Sequence, residues 1–230
     1  MQPKLSILMP VYDEAPTVEE AVSRVLAAEI GVPFELIVVD DGSTDGSGSI
    51  LDRIAGERFT LVRHPRNEGK GAAVRTALGR ARGEVSAIFD ADLEYDPNDL
   101  ATLLPPIEQG LTRAVFGVRV FDGYTSHSFA YVMGNKTVTL AANVLFNVYL
   151  HDLMTCCKVI RTELFRSLPL RARGFDIEPE ITARLIQAGE RIYELPVQYK
   201  ARATEDGKKL TAADGVRALR TLVRCRFTSG

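Results

Sequence analysis

Between residues 5 and 90 the chain alternates short runs rich in Val, Ile, Leu and Phe with longer amphipathic runs. That alternation demands a parallel sheet covered by helices, because parallel neighbours need a crossover between them. The short runs are Leu5 to Met9, Phe34 to Asp40, Phe59 to Arg63 and Val85 to Asp90, each closed by polar or turn residues. The longer runs are Thr17 to Ala28, Asp45 to Ala55 and Gly71 to Ala81; in the last, Ala73, Val74, Ala77, Leu78 and Ala81 recur at the helical period. The order reads β-α-β-α-β-α-β. From Pro97 the pattern is mixed: a helix to about Gln109, a strand over Ala114 to Val118, a loop over Asp122 to Ser128, and a long helix from Phe129 to about Leu150. A strand near Cys157 to Ile160, a helix over Glu178 to Ala188 and a strand over Ile192 to Val197 follow, then a charged loop, Arg202 to Lys209, and a terminal helix from about Ala212 to Phe227. Neither an internal repeat nor a low-complexity linker interrupts this order, so the second half is expected to pack on the first in one α/β domain.

A chain of 230 residues with 46% hydrophobic and 25% charged residues buries a sizeable core and is neither disordered nor fibrous. Its formal net charge of -2 gives no reason to expect nucleic acid as a partner. The longest uncharged apolar stretch, Thr137 to Leu150, has 14 residues, short of the roughly 20 that span a bilayer. With no cleavage-site pattern after Leu5 to Tyr12, a cytoplasmic location is expected. Cys156, Cys157 and Cys225 are too few for a disulfide framework and lack zinc-knuckle spacing, which leaves buried thiols.

In an open parallel sheet, ligands bind beyond the carboxyl ends of the strands. Three of the four first strands end in acids: Asp13-Glu14, Asp40-Asp41 and Asp90-Ala91-Asp92. Any one of them also makes good turn or N-cap chemistry, but three on one edge repel one another unless a cation or a ligand's donors offset the charge. Asp90 and Asp92, two apart in extended chain, project to one side and suit one hard divalent ion, Mg²⁺ or Mn²⁺, which prefers few carboxylates plus phosphate oxygens. A diphosphate is therefore the natural ligand. Glu94, two further on, is either a third ligand or a surface charge.

Four ordered motifs carry a family resemblance: Pro10-Val11-Tyr12-Asp13-Glu14, Val38-Val39-Asp40-Asp41-Gly42-Ser43-Thr44-Asp45, Asn67-Glu68-Gly69-Lys70-Gly71 and Asp90-Ala91-Asp92. Together they resemble glycosyltransferase family 2, with its GT-A fold. Asp152 to Arg161, Gly174-Phe175-Asp176, and Arg202 followed by Lys208-Lys209-Leu210 are similar to the dolichyl- or polyprenyl-phosphate sugar synthase branch. The resemblance covers roughly residues 4 to 211. It implies a catalytic domain over 1–211, with a nucleotide-sugar-binding half at 1–120 and an acceptor half at 121–211, followed by a basic amphipathic helix at 212–230. By resemblance Asp41 accepts hydrogen bonds from the donor's nucleoside, with Pro10, Tyr12 and Glu14 lining the same pocket and Lys70 among the donor-binding residues. Asp90, Asp92 and Glu94 form the expected metal set, Arg119 contacts phosphates, and Arg202 with Lys208 closes over them. Asp92, Arg119, Arg202 and Asp152 are the expected catalytic group. The family usually has Asn where this chain has Asp13, and the dolichyl branch often has Gln at the place of Glu94.

The implied reaction is inverting transfer of a hexose, mannose or glucose, from GDP or UDP to a polyprenyl phosphate. Departure of a nucleoside diphosphate needs charge stabilisation, which the metal and the cations provide. A hydroxyl acceptor also needs a base, for which Asp152, Asp176, Glu178 and Glu180 are the candidates, whereas a phosphate acceptor is already an anion and needs none. Glu178 and Glu180 also suit a helix start on dipole grounds alone. The helix from Phe129 is apolar on nearly all sides and fits either the core or a membrane interface. Residues 200–230 hold eight Lys or Arg against three acids. The last helix sets Val216, Leu219, Leu222, Val223 and Phe227 beside Arg217, Arg220, Arg224 and Arg226, a pattern suited to an anionic bilayer or to docking with a solvated basic face. A lipid acceptor implies peripheral attachment to the inner membrane face. The rival readings are the same donor chemistry with a soluble hydroxyl acceptor, and a nucleotide-binding module without catalysis. A nucleotidyltransferase is disfavoured, because Pro10-Val11-Tyr12-Asp13-Glu14 is no Gly-rich basic loop.

Overall fold

The computed structural model describes residues 2–56, 59–119, 129–200 and 211–228. Seven strands form one sheet: β1 (Leu5–Val11), β2 (Phe34–Asp40), β3 (Thr60–Arg63), β4 (Val85–Ile88), β5 (Ala114–Arg119), β6 (Lys158–Arg161) and β7 (Ile192–Val197), in the order β3-β2-β1-β4-β6-β5-β7. Pairing is parallel for β1 with β2 and β4, for β2 with β3 and for β5 with β7, and antiparallel wherever β6 is a partner. The register Val11↔Asp40 brings the first two strands to a common edge.

The crossovers carry α1 (Val18–Ala27), α2 (Ser47–Ala55) and α3 (Lys70–Arg80), as the apolar periodicity requires. One face of the sheet, with Leu5, Ile7, Met9 and Val11, packs on Val18, Val22 and Val25 of α1 and on Leu51 of α2. The opposite face, with Leu8, Ile37 and Val39, packs on Ala73, Val74, Ala77 and Leu78 of α3. The alternation along each strand therefore fills two layers.

The second half departs from expectation at three places. The helix expected from Pro97 to Gln109 is a 3₁₀ turn at Pro97–Asp99 followed by α4 (Leu100–Leu103) and α5 (Pro105–Glu108). Pro105 has no N–H to donate and crowds the preceding turn, so one continuous helix cannot form there. The long helix, α6 (Phe129–Phe146), stops short of Leu150 because Asn147 turns left-handed at φ 52°. The Asn143 side chain then closes the end, donating to Leu150 O and accepting from Leu150 N, both at 2.9 Å. A helix that the periodicity does not signal, α7 (Thr162–Ser167), follows β6, and α8 (Ile177–Gln187) and α9 (Ala212–Phe227) complete the chain. The last is anchored: Ala218, Leu222 and Cys225 pack with Val138 and Ala142 of α6 and Ala183 of α8 in a third cluster. Its first turn is closed by a reciprocal box between Thr211 and Asp214.

Two glycines test how tightly the site-bearing loops are seated. Gly69, at φ +96°, leaves room for no side chain, since a Cβ there meets Arg173 O at 2.3 Å. Gly79, near the end of α3, has open space around it. Gly69→Ala is expected to lower the unfolding free energy by about 2 kcal/mol or more, and Gly79→Ala to raise it by about 0.5 to 1 kcal/mol, read as urea midpoints.

Candidate active site

The carboxyl ends of β1, β2 and β4 open onto a cavity of about 1020 Å³. Pro10, Tyr12, Glu14, Asp41, Lys70, Asp90, Asp92, Glu94 and Arg119 all line it, so the strand-end residues singled out from the sequence do meet. Its far side is lined by Gly134, Thr137 and Val138 of α6 and by Val216, Arg217 and Leu219 of α9. Arg202 and Lys208 lie outside the described residues.

The three acidic clusters divide their work. Asp13 Oδ1 accepts from Thr44 N at 2.7 Å and Asp40 Oδ1 from Ser43 N at 3.0 Å, so these two fold the loop after β2. Asp41 is 2% exposed and pins the loop before α3: Oδ1 accepts from His64 Nδ1 at 2.6 Å and Glu68 N at 3.0 Å, and Oδ2 from Gly69 N at 2.7 Å. About one of its four acceptor positions is left for a ligand. The role expected of it, taking hydrogen bonds from a nucleoside, is limited to that one.

Asp90 and Asp92 sit at the cavity floor. Lys70 Nζ donates to Asp90 Oδ2 at 2.7 Å, while Asp90 Oδ1 is buried without a hydrogen-bond partner among the described residues. Burial, together with the charges of Asp90 and Glu94, pushes the Asp92 carboxyl up to about 7. An orphaned carboxylate oxygen beside an acid that resists ionising is what a divalent cation relieves, so this pair fits the expected metal. Glu94 does not complete the set. No three His, Cys, Asp or Glu side chains among the described residues converge to hold one ion. Instead Glu94 Oε2 accepts from the Tyr199 hydroxyl at 2.9 Å and its carbonyl accepts from Lys200 N at 2.8 Å, which ties it to the chain beyond β7.

Arg119 and Asp152 form a fork. Nε donates to Oδ2 at 2.6 Å and Nη2 to Oδ1 at 2.7 Å, and Asn135 Nδ2 adds a bond of 2.9 Å to Oδ1. Burial pushes the Asp152 carboxyl up, but the hydrogen bonds and charge of Arg119 outweigh it and hold the carboxyl below its ordinary range. Asp152 is thus the counter-ion of Arg119 and offers no free basic oxygen, which corrects its place among the candidate bases.

The other candidate bases are engaged too. Asp176 accepts from Gly174 N and the Thr221 hydroxyl. Glu180 accepts from Arg171 N, Ala172 N and Arg224. Glu178 lies between Lys70 and Lys158, at 3.1 and 3.0 Å; burial raises its carboxyl, but the two ammonium charges outweigh this and bring it below normal.

Residues that sequence reasoning missed include Tyr199, whose ring stacks against Tyr95 at 5.3 Å and under Arg119 at 5.2 Å, and Asn135, Arg217 and Lys158. Of these, Lys158 had a signal as a lysine heading the run Val159-Ile160, and Arg217 was read only as part of the basic face of the last helix. The three cysteines are buried free thiols, as expected.

A family model described as glycosyl transferase family 2 matches residues 6–168. The dodecaprenyl-phosphate galacturonate synthase of Rhizobium johnstonii is 30% identical over 86% of this chain and 60% of its own length. The polyprenol monophosphomannose synthase of Mycolicibacterium smegmatis is 28% identical over 85% of this chain and 77% of its own. For the dolichol-phosphate mannosyltransferase of Pyrococcus furiosus the figures are 26%, 89% and 59%, so this chain spans about three-fifths of two of these three relatives. Among solved structures, glucosyl-3-phosphoglycerate synthase from Mycobacterium tuberculosis, in complex with Mn²⁺, UDP and glucosyl-3-phosphoglycerate, superposes with a TM-score of 0.75 at 18% identity, over 99% of this chain and 81% of that one. That likeness bears on the fold, an α/β sheet of the GT-A type.

The raised Asp92 carboxyl sets a pH dependence. An unfolded Asp ionises near 3.8, so between about pH 4 and pH 7 the folded chain keeps a proton that the unfolded chain has lost, and stability falls as pH rises through that window. Without divalent metal, the melting temperature is expected to contain a component that declines from about pH 4 to about pH 7 and is absent in Asp92→Asn.

Proposed function

The chain belongs to glycosyl transferase family 2, and we propose that it is a glycosyltransferase that moves a hexose, mannose or glucose, from GDP or UDP to a polyprenyl phosphate with inversion, using Mg²⁺ or Mn²⁺. The observation that carries the acceptor is the engagement of all four candidate bases. Asp152, Asp176, Glu178 and Glu180 are each held by cations or backbone donors, whereas a hydroxyl nucleophile must hand its proton to a carboxylate within reach. A phosphate monoester attacks as an anion and needs no such group. The names of the three relatives, each a sugar synthase or transferase for a polyprenyl-type phosphate, support the same acceptor.

In this reading the donor lies along the strand ends. Tyr12, Pro10 and Glu14 border the nucleoside, with the remaining acceptor position of Asp41 facing it. Asp90 and Asp92 would hold the divalent ion, which would supply charge neutralisation on the diphosphate. Lys70 and Arg119 add fixed positive charge as the leaving group departs; an oriented donor of this kind contributes roughly 3 kcal/mol to the transition state. Asp152 and Asn135 keep the guanidinium of Arg119 in one orientation, so it enters the reaction without reorganising. Arg202 and Lys208, by the same resemblance, are proposed to contact the phosphates.

The acceptor half supports attachment to a membrane surface. No helix among the described residues is long and apolar enough to cross a membrane. Yet α6 exposes Phe129, Met133, Leu140 and Val144 on one face, and α9, packed beside it, exposes Val216, Val223 and Phe227 next to basic side chains. Apolar residues at the helical period flanked by Arg suit an interface rich in anionic lipid. The cavity is lined by these same two helices, so a lipid phosphate reaches it from that side.

The test is transfer of radiolabel from GDP-mannose or UDP-glucose into the organic phase. Label is expected there only with polyprenyl phosphate and divalent metal present. Metal-dependent release of GDP or UDP without organic label would move the acceptor to a soluble hydroxyl, and donor binding without turnover would leave a nucleotide-binding module. Asp92→Asn is expected to lower transfer by at least about a thousandfold with the fold retained, and Asp152→Asn by about a hundredfold through loss of the Arg119 fork. Arg220→Glu combined with Phe227→Ser is expected to abolish co-sedimentation with anionic vesicles and leave the melting temperature unchanged.

A further inference from the structure

Four side chains of alternating charge run from the cavity floor into the core. Lys158, with no exposed surface, lies 3.0 Å from Glu178 Oε2; Glu178 Oε1 lies 3.1 Å from Lys70 Nζ; and Lys70 Nζ lies 2.7 Å from Asp90 Oδ2. The inner end is immobile, because Lys158 also donates to the carbonyls of Leu153, at 2.9 Å, and Thr155, with its ammonium 4.5 Å from the ring centre of Phe116. Each Glu178 oxygen faces one of the two ammonium groups, so the carboxylate is shared between them. Burying two ions where an apolar pair would pack as well is costly, and the reaction uses only the outer members of the row. What the inner pair changes is where Lys70 stands.

We propose that Lys158 and Glu178 are positioning residues that hold the Lys70 ammonium on one oxygen of Asp90, so that the site takes up its divalent ion only together with a diphosphate. Lys70 occupies Oδ2 and leaves Oδ1 as the one oxygen of Asp90 without a hydrogen-bond partner among the described residues. An ammonium fixed at that distance repels a bare divalent cation and attracts phosphate oxygens. If Lys70 withdrew, Asp90 would lose its one ammonium contact and the buried Glu178 one of its two. The ion and the diphosphate must then bind with positive coupling, each raising the affinity for the other by the same factor. The ion is in this way kept from occupying the site before the donor arrives.

This inference rests on the reading of the cavity as a metal and diphosphate site, and it is tested by binding rather than by turnover. Mn²⁺ is titrated into the full chain by calorimetry, alone and with saturating inorganic diphosphate. In the wild type, diphosphate is expected to tighten Mn²⁺ by at least about tenfold. In Lys70→Met, Mn²⁺ alone is expected to bind about tenfold tighter than in the wild type, with the coupling collapsing towards one, while Lys70→Arg restores it. Glu178→Gln combined with Lys158→Met removes one charge of each sign, so no ion is stranded in the core, and is expected to reduce the coupling several-fold at an unchanged melting temperature. Equal affinity for free Mn²⁺ in the wild type and Lys70→Met would overturn the role of Lys70. Full wild-type coupling in the double variant would overturn the roles of Glu178 and Lys158. A wild type that binds neither Mn²⁺ nor GDP and UDP would instead overturn the donor site itself, and this inference with it.

Discussion

Strands β2, β1 and β4 lie side by side and parallel, and their shared edge is the constraint from which the cavity is built. Parallel register brings Asp40 opposite Val11, and β4 beside β1 delivers Asp90 to the same edge. Each strand is too apolar to be anywhere but inside, so the first polar residues after it must emerge together. The crowding of negative charge is a consequence of the topology, and the molecule answers it locally. Some of it goes into loop hydrogen bonds, as with Asp13, Asp40 and Asp41; some is neutralised by Lys70; and Asp90 Oδ1 is left without a hydrogen-bond partner among the described residues, at the floor of the cavity that Asp92 also lines.

The loop before α3 shows how seating one element depends on another. Asp41 takes the backbone N–H groups of Glu68 and Gly69, and Arg173 O takes that of Gly71 at 2.7 Å, so the start of α3 is clamped between β2 and the segment that leads into α8. Only a glycine fits at Gly69 under that carbonyl. Lys70, the next residue, has its direction set by both sides of the clamp. The segments before α3 and before α8 therefore meet through backbone contacts as well as through charges.

Much of this was legible in the chain. The run Phe34 to Asp40, the run Ile192 to Val197 and the terminal helix appear with the boundaries that their patterns demand, because each has an uninterrupted period and a clear stop. Pro105 and Asn147 broke longer helices through backbone geometry, which apolar periodicity does not register. The six residues of α7 are too few to display a period at all. In the site, strand-end acids could be read because topology alone brings them together. The pairing of Arg119 with Asp152, 33 positions apart, and the row through Lys158 and Glu178 could not, since they depend on how β6 is inserted between β4 and β5. A carboxylate proposed as a base cannot be told from a counter-ion until its neighbour is known.

The reversed strand β6 has a consequence for how such a chain diversifies. Since β5 ends and β6 begins at the edge where the cavity lies, everything between them departs from and returns to one rim of the sheet. That excursion, with α6 in it, adds no strand to the sheet among the described residues. That excursion also carries Asn135 and Asp152, the partners of Arg119, so an exchange of it between two members of the family moves the setting of that arginine together with α6.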